Sequence, residues 1–144
     1  MRFMMIFKPE GDIEPGVPPC KQNIPEMAAL VDELVASGVL IATEGLHPRE
    51  KGAHVRLSGG KVTVIDGPFT EAKELIAGFA LVEVASKREA VELAQRFLAI
   101  AGGGESIIRQ VYEASEYSPD AFPPEEAARD QARRDELWRK AAPR

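Results

Sequence analysis

The chain is poor in the residues that build metal cages and covalent staples. One cysteine, Cys20, stands among 144 residues, so an internal disulfide and a cysteine-cage zinc site are both excluded. That usage fits a reducing cytoplasm. Only two histidines occur, His47 and His54, and their spacing matches no helical or hairpin metal-ligand motif. No cofactor is expected. Basic charge is also short: the net charge is −5, and residues 117–144 balance six acids with six bases. The deficit therefore lies in residues 1–116, and an acidic body gives no electrostatic case for nucleic acid or an anionic membrane. Long hydrophobic runs are missing, so no segment is expected to span a bilayer. The apolar start, Met1 to Phe7, runs into Lys8 and Pro9 and is not a signal h-region with a cleavage site. No repeat of fixed period, nucleophile elbow, phosphate-binding loop or dinucleotide fingerprint is present.

What is there is a foldable core. Apolar residues make up 44% of the chain, a length and composition that suit one domain. Residues 2–8 read as a strand apolar on both faces, as a central strand would be. Residues 9–24, crowded with proline and glycine, read as a long loop. Residues 25–37 read as a helix with Met27, Leu30, Val31, Leu34 and Val35 on one face, Pro25 in its first turn and Gly38 past its end. Residues 39–44 are a second strand, followed by a polar arm over 45–52.

Residues 53–66 predict a hairpin around Gly59-Gly60. This register pairs Leu57 with Val62, Val55 with Val64 and Ala53 with Asp66. Residues 77–84 are another strand. Ser86 and Glu89 form a capping box before a helix carrying Ala90, Val91, Ala94, Phe97 and Leu98 on one face. Gly102-Gly103-Gly104 follows that helix, so it terminates it and is not a phosphate loop. Residues 106–113 are the last strand. The order β-α-β-(hairpin)-β-α-β is the split βαβ pattern of an α+β, ferredoxin-like fold. Both helices then cover one sheet face, and the other calls for a partner. Residues 118–144 read as a helical arm with Glu125–Arg129 and Asp130–Arg134 pairs and a thin apolar stripe.

The densest turn chemistry lies at Asp66-Gly67-Pro68-Phe69-Thr70-Glu71-Ala72-Lys73-Glu74. Asp-Gly favours a tight turn, Pro68 fixes its own φ, and Thr70 can cap the turn that follows. Asp66 either accepts backbone N–H bonds in this corner or is a working acid–base group. Glu44 also ends a strand, and the two carboxylates are expected at one rim of the sheet. A carboxylate pair beside an apolar cavity is one way general acid–base sites are made. Arg109, flanked by apolar residues in the last strand, either binds an anionic ligand or makes an ordinary salt bridge. Phe69 belongs either to the core or to a ligand pocket.

The Asp66–Glu74 stretch resembles the signature of the DGPF proteins, a branch of the YCII-related family. Glu44-Gly45-Leu46-His47-Pro48, Val55 to Lys61 and Ile108-Arg109-Gln110-Val111 are similar to that family as well, so the likeness covers residues 1–117. The resemblance implies a ferredoxin-like subunit that pairs into a dimeric α/β barrel, with residues 118–144 as an appended arm. It implies little about a reaction. In YCII-type relatives a His–Asp pair has been suggested as catalytic, which points to His47 beside Asp66. The leading expectation is a small-molecule-binding or catalytic homodimer, with Asp66, Glu44 and His47 as catalytic candidates and Arg109 and Phe69 as ligand-binding ones. The alternative is a non-enzymatic regulatory or interaction protein, since DGPF proteins are often encoded beside extracytoplasmic-function sigma factors.

Overall fold

The computed structural model describes residues 1–11, 16–17, 20–66 and 76–141; of Arg49, Asp66 and Ala141 it describes the backbone alone. The chain divides into two units, Met1–Gln110 and Val111–Arg144.

The first unit is built on β1 (Arg2–Lys8), which pairs antiparallel with β5 (Gly78–Glu83) on one side and β6 (Glu105–Gln110) on the other. β2 (Leu40–Gly45) extends the sheet beyond β5, giving the order β2-β5-β1-β6 with every pair antiparallel. Two helices, α1 (Ile24–Ala36) and α2 (Lys87–Ala101), complete two βαβ halves. This mixed α+β arrangement with an antiparallel sheet has the split βαβ topology expected from the element order.

Alternation along β1 decides where the core lies. Phe3 and Met5, 1% and 0% exposed, point to the helices together with Ala80 and Val82 of β5. Leu30 and Leu34 of α1 and Ala90, Leu93, Ala94 and Phe97 of α2 close over them. Burying side chains of this size contributes about 1.5–3 kcal/mol each. The helical faces differ from the sequence reading at three positions: Leu93 joins the core, whereas Val35 and Val91 are exposed. The apolar stripe is narrower than the sequence admits, because each helix packs flat on one sheet face. Val39, Met27 and Val31 seal its edges.

The helix ends follow their signals. The Glu89 N–H donates to Ser86 Oγ (3.2 Å) and the Ala85 N–H donates to the Glu89 carboxylate (3.0 Å), which satisfies one first-turn donor and the donor just before the N-cap. Gly102 takes a left-handed φ of 85° and its N–H donates to the Leu98 carbonyl at 3.0 Å, closing α2.

The opposite sheet face carries Met4, Ile6, Phe79, Leu81 and Ile107, all half-buried, and α1 and α2 both lie on the other face. β6 stops at Gln110, short of the predicted 113. Gln110 already pairs with Phe3, and β1 has only Arg2 beyond it.

β3 (Ala53–Ser58) and β4 (Lys61–Asp66) form a separate two-stranded sheet. Its register is the one the Gly59-Gly60 turn dictates: Leu57 opposite Val62, Val55 opposite Val64, Ala53 opposite Asp66. Both glycines have positive φ, 56° and 76°, as a two-residue hairpin turn requires. Every residue from Ala53 to Ile65 is exposed.

In the second unit, Tyr112 stacks on Tyr117 with centroids 4.6 Å apart, and Tyr117 meets Phe122 at 5.3 Å. α3 (Pro124–Ala141) starts with acidic residues and ends with Arg139 and Lys140, matching the helix dipole. Asp130 pairs with Arg134 at 2.8 Å as expected, but Arg129 takes Glu126, one turn position nearer, in place of Glu125. Leu137 and Trp138 are exposed.

Candidate functional site

A pocket of about 270 Å³ opens where the sheet and the two helices diverge, at the C-terminal end of β1. Phe7, on the helix side of β1, forms one wall, and its ring tilts at 50° against that of Phe97 with centroids 5.3 Å apart. Met27 and Val31 of α1 face them, and Leu98 and Ala101 line the far end of α2. Thr43, Glu44 and Gly45 bring the end of β2 to the rim, and Ala77, Gly78 and Phe79 bring the start of β5. Cys20 and Gly103 complete the margin.

The walls are held by short-range bonding. The Ala77 N–H donates to the Phe7 carbonyl at 2.8 Å, and the Leu46 N–H donates to the Ala77 carbonyl at 2.9 Å. Ala77 is thereby fixed between the ends of β1 and β2. Asn23 Nδ2 donates to the Ile100 carbonyl at 2.9 Å and ties the start of α1 to the end of α2. The glycine pair Gly45–Gly78 lies in the rim. A Cβ on Gly78 would lie 2.5 Å from the Glu44 carbonyl oxygen, so only glycine fits this approach of β2 to β5.

The interior is chiefly apolar. Thr43 alternates onto the helix side with Ala80, and its hydroxyl donates to the Phe79 carbonyl at 2.9 Å. The hydroxyl oxygen keeps both lone pairs and can still accept a hydrogen bond. Glu44 stands at the rim but is exposed and pairs with Phe79, so its side chain alternates toward the open sheet face, away from the helix-side walls of the pocket. An apolar cavity with a few polar groups at its margin is the usual build of a small-molecule site.

Of the residues singled out in the sequence, Glu44 is at this pocket. Arg109 is exposed on β6 and pairs with Met4, which places it on the open face. It is three strand spacings from β2, roughly 14 Å at the usual spacing between strands. His47 is exposed beyond the end of β2. Asp66 ends β4 in the separate hairpin, so it and Glu44 do not end strands of one sheet, contrary to the expected common rim. The strand pattern of β4 resembles that of a strand in the main sheet, but among the described residues it pairs with β3 alone. The Asp66 side chain and Phe69, with the rest of the 67–75 segment, lie outside the described residues. Among the described residues, no three carboxylate, histidine or cysteine groups gather as a metal site. The residues that sequence reasoning missed at the pocket are Phe7, Met27, Val31 and Thr43. They carry no sequence mark beyond membership of an apolar face.

The YCII-related domain matches residues 1–114. The chain belongs to the YCII-related family. An uncharacterised protein of Rhizobium meliloti is 37% identical over 70 residues, which are 49% of this chain and 56% of that relative. The chain thus spans about half the length of the curated relative it matches. Among solved structures, 5-chloro-2-hydroxyhydroquinone dehydrochlorinase from Burkholderia phenoliruptrix AC1100, in complex with 2,5-dihydroxybenzoquinone, is 17% identical. That likeness covers 82% of this chain and 100% of the other, with a TM-score of 0.41. Among the described residues of this YCII-related protein, no helix is long and apolar enough to cross a membrane.

Proposed function

We propose that this YCII-related protein binds a small, largely apolar molecule in the pocket at the end of β1, with a carboxylate at its polar margin. The observation that carries the reading is the 270 Å³ cavity itself, walled by Phe7, Met27, Val31, Phe97 and Leu98. A volume near the lower end of ordinary ligand pockets suits a compact molecule rather than an extended cofactor. The Thr43 hydroxyl would receive its polar group, and Glu44, at the rim, and Asp66, at the head of the DGPF-type signature, are the carboxylates proposed at the margin. His47, Arg109 and Phe69 are proposed only as outer contributors. Proton transfer by such a carboxylate would make the protein an enzyme. A cytoplasmic location fits the single cysteine.

The subunits are proposed to pair through the open sheet face. Met4, Ile6, Phe79, Leu81 and Ile107 form an apolar surface on the face away from α1 and α2, and pairing two such faces would give a dimeric α/β barrel. This assembly is also what the resemblance to the DGPF branch implies.

The pocket is tested by filling it. Ala101→Phe places a ring in the cavity while leaving Glu44 and Asp66 in place. Small neutral aromatic and aliphatic alcohols, titrated into the labelled protein, are expected to shift the Met27 and Val31 methyl resonances in the wild type and not in Ala101→Phe. Asp66→Asn and Glu44→Gln are expected to weaken binding of hydroxyl-bearing probes more than that of their hydrocarbon analogues. Equal binding by the filled variant and the wild type would refute the pocket reading.

A further inference from the structure

Among the described residues that line the pocket, Thr43 alone carries a hydroxyl. It is half-buried and lies on the helix side, opposite Ala80. Its 2.9 Å contact with the Phe79 carbonyl decides where its proton is. A carbonyl oxygen has no proton to give, so the hydroxyl is the donor. A hydroxyl has a single proton, and this bond uses it. Lone pairs are what Thr43 has left for a ligand. The oxygen is also held in place, because a β-branched side chain is stiff at χ1 and the Phe79 bond selects one rotamer.

Other donors at the pocket do not make up for that. The N–H groups of Ala77, Met27 and Gly103 donate to the carbonyls of Phe7, Asn23 and Leu98 at 2.8, 3.0 and 3.1 Å. Pro9 has no N–H. Lys8 follows Met4 and Ile6 in the alternation of β1, which places its ammonium on the open sheet face. Cys20, at the margin, offers a thiol, which is a weak donor. A ketone or ether oxygen in this cavity therefore goes unpaired or takes the Thr43 proton from Phe79. Either outcome forfeits a hydrogen bond in an apolar setting. An O–H or N–H group meets no such penalty, since Thr43 accepts from it and keeps its own bond.

From this we infer that the pocket selects its ligand by the sense of the polar group: it takes compact apolar molecules that carry a hydrogen-bond donor, alcohols or N–H compounds, and discriminates against ketones and ethers of the same shape. Thr43 is the residue that sets this specificity. The inference rests on the ligand pocket proposed above and adds the chemical class of the ligand.

The test uses the full chain and two neutral probes built on one six-membered ring, cyclohexanol and cyclohexanone. Their Kd values are read from the Met27 and Val31 methyl resonances. The variant is Thr43→Val, which keeps the branched shape suited to a strand and removes the oxygen. The ratio of the ketone's Kd to the alcohol's should be about tenfold higher in the wild type than in Thr43→Val. Thr43→Ser, which restores the oxygen, should return the ratio toward the wild-type value. Equal ratios in the wild type and Thr43→Val would overturn the donor selection and leave the pocket standing. Binding of neither probe to the wild type would overturn both. A second measurement needs no variant: NOEs from the carbinol C–H of bound cyclohexanol should reach the Thr43 γ-methyl. NOEs from that proton to the Phe97 ring without any to Thr43 would also overturn the selection.

Discussion

Valine meets opposite fates in two regions of this molecule. Val82, in β5, is 0% exposed beneath two helices, whereas Val64, in β4, is 58% exposed in a hairpin that packs on itself. Both lie in six-residue strands of alternating pattern, and both face the apolar side of their sheet. The contrast shows that periodicity decides which side of a strand is apolar, while what covers that side is decided elsewhere. In β5 the cover is local in topology, supplied by the crossover helices of the same subunit. In the hairpin no crossover helix exists, because the two strands are joined by a two-residue turn.

The sharpest test of this contrast is a pair of truncations. Phe97→Ala removes a ring that touches the core and Phe7, and should cost about 3–5 kcal/mol in urea unfolding followed by circular dichroism. Val64→Ser, in dilute protein, should change the midpoint by about 0.5 kcal/mol or less, as exposed substitutions do. Comparable losses would mean that the hairpin is part of the subunit's own core.

An intermediate effect is expected where the sheet is tightest. Gly78→Ala drives a methyl against the Glu44 carbonyl, a backbone atom that cannot swing away, and should cost about 1–3 kcal/mol. Amide exchange should quicken along β2 and the start of β5, and leave β3 and β4 untouched. A uniform change across both sheets would dissolve the distinction drawn between them.

The smallest effect concerns the surface that joins the two helices. Arg96 donates two hydrogen bonds to Glu33, at 2.7 and 2.9 Å, and this bonding holds the Glu33 carboxyl below its ordinary range. A depressed carboxyl contributes stability above its unfolded value, and loses it as the pH falls through the folded one. The difference between wild type and Arg96→Gln should therefore be slight at neutral pH, begin to shrink as the pH falls into the ordinary glutamate range of about 4, and vanish only below the depressed folded value. Salt should shrink it as well, since both groups are solvated. A difference that persisted in acid would assign Arg96 a packing role instead.

Much of the fold was legible. The Gly59-Gly60 turn and the alternation on either side of it fix the hairpin register residue by residue, and Ser86 with Glu89 marks the start of α2. Where the reading slipped, the cause is tertiary. The pattern in β6 continues to Tyr112, but the strand it pairs with has run out. Val35 and Val91 have helical spacing, yet a flat sheet accepts a narrower stripe. Arg129 can reach either Glu125 or Glu126, and sequence spacing does not choose between them. The pocket was the least legible feature. Its walls come from β1, α1, β2, β5 and α2, and the residues that form them look like any other core residues until those segments are brought together. Glu44 was found because it ends a strand as a charged residue. Thr43, its neighbour, carries no such flag.

The aromatic residues have a further consequence for anyone who studies this protein by light. Both tyrosines, Tyr112 and Tyr117, and the single tryptophan, Trp138, fall in the unit from Val111 onward. The sheet and its two helices hold phenylalanine alone. Intrinsic fluorescence and absorbance near 280 nm are consequently reporters of the C-terminal unit, and the core that surrounds the pocket is optically silent. A melting curve recorded at the tryptophan band follows α3, so the unfolding of the unit that holds the pocket must be read from the peptide bond or from a chromophore placed there by design.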